Sequence, residues 1–209
     1  MNELIKKTEE YIINLLGQKL AVGMVYHNLD HTQLMVAAVN DLCTEMHLNE
    51  WEQEILMVSA WFHDSGYCYT YQGHEAISMT IAGDFLRSMG KKDLFINPVN
   101  ECIRATQMPQ EPKTHFQAIM CDADMRHLAL PDFAIHSERL RVEWANVLDK
   151  EYSNSDWVRQ NLQFLSDHTY FTAHAKKHWE PVKQRNISQL KSWLTDQVQN
   201  DFSDGDQSN

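Results

Sequence analysis

The sequence predicts an all-α protein, and three observations carry that prediction. Apolar residues recur at three- and four-residue spacing nearly throughout. Glycine and proline are scarce, at 7 and 5 in 209 residues, which suits helices better than tight hairpins. Residues that favour helix ends stand where the periodic runs begin and stop. At 43% hydrophobic the chain can bury one core. We therefore expect a single all-α domain over 1–200 and a disordered polar tail over 201–209.

The elements follow in order. MNELIKKTEEYIINLL carries Glu3, Glu9 and Glu10 among its apolar residues and lacks a small-residue cleavage site, so it reads as an amphipathic helix, not a signal peptide or membrane span. Leu34, Ala38, Val39, Leu42, Cys43 and Met46 mark a helix after His31, with Asp30 a candidate cap. Asn49 with Glu52 resembles a capping box and opens a second helix through Ile55, Leu56, Val58 and Ala60 to His63, with Gly66 as its stop. A third runs from about Gly73 to Gly90, and a fourth from Val99 to Thr106, before the breaker run MPQEPK. Further helices are expected over Phe116–Leu128, after Pro131, over Asp156–Leu165 and from Pro181 to Val198.

Charge and cysteine usage narrow the function. A net charge of −11 argues against a binder of duplex nucleic acid, which needs an excess of lysine and arginine. Cys43, Cys68, Cys102 and Cys121 show no C-x-x-C pair and read as reduced thiols of a cytoplasmic protein. Asn186-Ile187-Ser188 matches a glycosylation sequon but carries no weight without a secretory signal.

Four short stretches concentrate potential metal ligands: YHNLDHT (Tyr26 to Thr32), FHDSGY (Phe62 to Tyr67), GHEAIS (Gly73 to Ser78) and CDADMRHL (Cys121 to Leu128). Singly, each has a plain explanation. A lone histidine on an apolar face is usually a hydrogen-bonded core residue, and an aspartate near a helix start is usually a cap. Together they say more. His63 and Asp64, about 100° apart on a helix, both reach off one helix end. His31 on the preceding helix and an acid of CDADM on a later one would complete a mixed nitrogen and oxygen shell, as a divalent cation prefers.

The order His…His-Asp…Asp on successive helices resembles the HD superfamily of metal-dependent phosphohydrolases, and more narrowly its small single-domain predicted members. The likeness rests on YHNLDH, FHDSGY, the later His74, Glu75 and Ser78, and DADM. RVEW (Arg141 to Trp144), NLQFL, YFT and the late Glu180…Arg185-Asn186 also fit, so it spans about Tyr26 to Asn186. It implies an HD-type helical bundle with His31, His63, Asp64 and Asp124 as metal ligands. Asp124 is preferred over Asp122 because the superfamily ligand usually follows an alanine. Asp122 is then a cap, an outer-shell acid or the alternative ligand.

Glu75 is the candidate general acid or base, or else a group orienting a ligand. His27, one turn before His31 if that segment is helical, is a candidate for proton transfer, phosphate contact or a second metal, against a structural hydrogen bond. His74 is a weaker candidate for phosphate contact or a second metal, and Arg141 for a phosphate clamp. His168, His174 and His178 read as a solvated helix face.

No H-E-x-x-H and no glycine-rich phosphate loop is present, and HDSGY runs into CYTYQG without the Glu-Asp element of the similar alarmone hydrolases. The expectation is a metal-dependent hydrolase of a small phosphomonoester or phosphodiester, with a nucleotide favoured and no membrane partner. Its cofactor would be one or two divalent ions: Mn, Fe, Co, Ni or Zn, with Mg less suited. The rivals are a non-catalytic module that senses a nucleotide or metal, and a purely structural helical protein.

Overall fold

The computed structural model of the chain describes residues 2–205, with side chains through 197. Among the described residues there are ten α-helices and no strand, as the periodicity predicts. They are α1 (Glu3–Lys19), α2 (Leu29–Glu45), α3 (Glu50–Phe62), α4 (His74–Ser88), α5 (Asp93–Arg104), α6 (His115–Asp124), α7 (Phe133–Leu148), α8 (Asn154–Asp167), α9 (Ala173–His178) and α10 (Glu180–Gly205). Two 3-10 turns, Ser65–Cys68 and Met125–Ala129, follow α3 and α6. Of the expected polar tail, 206–209 lie outside the described residues.

Helix α1 buries Leu4, Thr8, Ile12 and Leu16, one residue per turn, and turns its lysines and glutamates outward. It packs on α3, which also packs on α2 and α5, while α4 lies against α5. Helix α3 is thus central, and its Ile55, Leu56, Val58, Ala60 and Phe62 are fully buried. One apolar cluster runs from Leu4 to Ile187. Each fully buried leucine or isoleucine in it contributes about 1.5–3 kcal/mol.

Several boundaries differ from the sequence expectation, each for a local reason. The cap of α2 is Asn28, not Asp30: its side chain accepts from the backbone N–H groups of Asp30 and His31. The helix therefore starts at Leu29, and His27 lies outside it. The Asn49–Glu52 capping box is present as expected. Gly66 is not a left-handed stop. It sits in the 3-10 turn, where a Cβ would fall 2.0 Å from the His74 carbonyl oxygen, so glycine is required by close approach. The positive φ of 70° belongs to Gly73, which opens α4.

Helix α5 begins at Asp93, earlier than expected, and carries Pro98 within it. Leu94, whose carbonyl loses a partner there, is 81% exposed and open to water. The segment expected as one helix to Leu128 changes to 3-10 geometry after Asp124. The short α9 carries His174 and His178, which the sequence reads as part of a helix face.

Candidate metal centre

The helix ends described above bring donors of His31, His63 and Asp124 together, with Asp64 beside the two histidines. His31 is the third residue of α2, oriented by the Asn28 cap. His63 ends α3, and its Nδ1 lies 2.8 Å from the Ala60 carbonyl, which only an N–H can satisfy. Its Nε2 is the ring nitrogen that faces the site. Asp64 follows directly, and Asp124 closes α6.

His31 Nε2 lies 3.3 Å from His63 Nε2, 3.3 Å from Asp64 Oδ2 and 3.4 Å from Asp124 Oδ1. His63 Nε2 is 3.0 Å from Asp64 Oδ2 and 3.9 Å from Asp124 Oδ1. His31, His63 and Asp124 each offer a donor atom within 4.8 Å of the other two. With metal–ligand bonds of about 2.1 Å, neighbouring donors sit roughly 3.0 Å apart in an octahedron and 3.4 Å in a tetrahedron. Four of these five separations fall in or next to that range.

Asp64 Oδ2 is buried and has no hydrogen bond, although both imidazoles approach it closely. Such an atom is costly unless a positive charge meets it. The donor set therefore fits a divalent cation.

The titrations point the same way. Burial opposes the charge on His31, but contacts with Asp124 and Asp64 override it and push His31 up to about 10. Burial also opposes ionisation of Asp64 and Asp124, and the neighbouring histidines override it, holding both below the usual carboxylate range. Without a metal, the proton of His31 supplies the positive charge that the cluster favours. A metal ion held by these residues would do the same with more charge, in place of that proton.

Asp64 faces two ways, since its Oδ1 lies 3.3 Å from His74 Nε2. Glu75 Oε1 is 3.7 Å from the same nitrogen, and Glu75 lines the cavity described below. His27 reaches the site from the loop before α2, not from a shared helix face. Its ring contacts buried Glu143 of α7 through Nδ1, and Glu143 also accepts from the Tyr26 and His27 backbone N–H groups at 2.8 and 3.0 Å and from Tyr71 Oη at 3.1 Å. Despite burial, those donors hold Glu143 ionised, below its ordinary pKa. The Tyr67 ring stacks on both His27 and His74, at 4.3 and 3.8 Å between centroids, and so lies between them.

Two candidates are placed elsewhere. Asp122 directs its oxygens to the backbone N–H groups of Phe171 and Thr172, each at 2.7 Å, and anchors that strand of chain instead of facing the histidines. Arg141 bonds Asn154 Oδ1 and the Tyr152 carbonyl, braces the α7–α8 connection, and does not line the cavity. Nor is the late histidine cluster a uniformly solvated face. His168 is pushed down to about 4 by burial and then by Lys183, whose own side chain is only 1% exposed.

Sequence reasoning missed Glu143, Tyr67 and His127. Glu143 follows Ser137 and Leu140 at three-residue spacing, a carboxylate on a mostly inward face, and it stands in the RVEW stretch that fits the resemblance; those were its signals. His127, three residues past Asp124, donates from Nδ1 to the Asp124 carbonyl at 3.1 Å. Burial, then the charge of His31, pushes it down to about 3.

The centre opens into a cavity of about 830 Å³, with Asp64, His74, Glu75 and Asp124 at one end and residues of α7 and α8 along the other. That is ample for a small-molecule ligand. No helix among the described residues is long and apolar enough to cross a membrane. No protein-family model, no curated protein and no solved structure matches this chain.

Proposed function

We propose that the chain is an HD-type metal-dependent phosphohydrolase of a small phosphate ester. The observation that carries this reading is the convergence of His31, His63, Asp64 and Asp124, with a buried carboxylate oxygen lacking a hydrogen bond, beside a ligand-sized cavity that Asp64 and Asp124 line. A bound divalent cation supplies Lewis-acid polarisation of a phosphoryl oxygen and acidifies water.

The chain's own residues do the rest. Water forms the new P–O bond and gives its proton to Glu75, while the ester P–O bond breaks and the departing alcohol oxygen takes a proton. His27 supplies that proton or holds a phosphoryl oxygen, with its ring set by Glu143. His74, fixed by Asp64 and Tyr67, offers a further polar contact to the phosphoryl group.

The test is elemental analysis of the purified protein beside the His63→Ala/Asp64→Ala double variant, with a metal-supplemented phosphatase and phosphodiesterase panel on both. Bound metal and hydrolysis lost together support the enzyme. Metal lost in the variant, with no hydrolysis by the wild type, favours a sensing module. Equal metal content in both proteins sinks the metal site.

A further inference from the structure

The cavity has a second half that the chemistry above does not use, and its walls differ in kind from the metal end. Trp144 and Leu148 of α7 and Trp157 and Phe164 of α8 line it. This wall is braced. Trp144 and Trp157 meet edge to face at 5.4 Å and 84°. Trp157 Nε1 donates to Ser137 Oγ at 2.9 Å, that hydroxyl donates to Asn161 Oδ1 at 2.9 Å, and Asn161 Nδ2 donates to the Trp157 carbonyl at 2.8 Å. A closed hydrogen-bonded ring thus fixes one indole, and the second indole packs on it. Rigid aromatic faces at a cavity wall suit a flat organic group.

Charge limits what such a group may carry. Among the described residues, Asp64, Glu75, Asp124 and Asp167 line the cavity, against Lys150 as its one ammonium and no guanidinium. Lys150 itself is exposed and sits 5.6 Å above the Trp144 ring. One divalent ion leaves this cavity short of the positive charge that clamps a polyphosphate chain, but it is enough for a single phosphoryl group.

Resting on the phosphohydrolase reading, we infer that the α7–α8 half of the cavity binds the organic part of the substrate, and that this part is a flat, uncharged group carried by a single phosphoryl group, not by a di- or triphosphate. Trp144 is its specificity-determining residue.

The test is calorimetric titration of the full chain, manganese-loaded and metal-stripped, with adenosine 5′-monophosphate, ribose 5-phosphate, ATP and adenosine, using kcat/KM in place of affinity where turnover occurs. The expected result is a preference for adenosine 5′-monophosphate over both ribose 5-phosphate and ATP on the order of tenfold. Trp144→Ala removes the preference over ribose 5-phosphate, whereas Trp144→Phe keeps most of it. Should Trp144→Ala melt early, Phe164→Ala on the neighbouring helix makes the same comparison.

ATP equal to or better than the monophosphate overturns the inference. So does a preference that survives Trp144→Ala, or an absence of binding by every adenosine compound. The metal reading fails separately, if stripping the metal changes no phosphate affinity. The arm is then still judged by whether Trp144→Ala abolishes adenosine binding.

Discussion

His63 at the end of α3 and His168 just after α8 each have a charged atom within 3.3 Å, yet the two regions resolve that charge in opposite ways. Around His168, Lys183 donates to the His168 carbonyl and ring and pairs with Glu180 at 3.0 Å. Charge meets charge and the backbone is satisfied. His168 Nε2 is left without a hydrogen bond, but no converging donor group forms there among the described residues. Around His63, ring nitrogens and carboxylate oxygens converge, and Asp64 Oδ2 has no hydrogen bond. A buried histidine beside a charge is therefore no sign of function by itself. What distinguishes a metal site is several donors whose shared deficit is positive charge.

The comparison can be broken most sharply at its two centres. Asp124→Asn should weaken manganese binding by about 100-fold or more, since it removes a direct ligand and not merely an outer contact, with a smaller fall in the melting temperature of the metal-free protein because His31 loses one of its two carboxylate partners. Titration calorimetry and a thermal melt read both. Lys183→Met should do the reverse, costing about 3 kcal/mol in denaturant unfolding because His168 and Glu180 lose their partner, while metal stoichiometry stays the same. Metal loss in Lys183→Met would erase the distinction between the regions.

A smaller effect comes from pH. His168 and His127 are held neutral in the folded chain, down to about 4 and about 3, against an ordinary 6.5. Between pH 6.5 and 4 the unfolded chain binds more protons than the folded one, so stability falls on acidification. The expected slope is roughly 1.4 kcal/mol per pH unit for each histidine, less for the partly exposed His168. His31, held up to about 10, is protonated in both states over that range. Its contribution is complete below 6.5 and is lost as pH rises toward 10. Urea unfolding of the metal-free protein from pH 7 to 4.5 measures the slope, and His168→Leu should reduce it visibly. A flat wild-type profile would mean that these rings are solvated.

The smallest expected change sharpens the contrast within α6. Asp122→Asn keeps one acceptor for the Phe171 and Thr172 amides and should cost about 1 kcal/mol, with metal affinity close to wild type. A loss of metal as large as that of Asp124→Asn would show that the 171–172 anchor, and not only Asp124, sets the site.

Much of the fold was legible because helix signals are local. The i,i+4 spacing of Leu4, Thr8, Ile12 and Leu16 marks the buried face of α1, and Asn49 with Glu52 forms the capping box that their spacing suggests. Where water or a tertiary partner overrode the local preference, the reading failed. Pro98 is tolerated inside α5, and Gly66 serves a close approach to α4 instead of a helix stop.

The site divides along the same line. The sequence by itself determined which residue types stand at the helix ends, and hence that His31, His63, Asp64 and an acid of CDADM were available to converge. Only the tertiary structure decided that Asp124 and not Asp122 meets the histidines, that Arg141 turns away, and that Glu143, more than a hundred residues along the chain, holds His27. The reason is geometric. Periodicity sets the direction of a side chain about its own helix axis, whereas the distance between donors on different helices is set by how those helices pack.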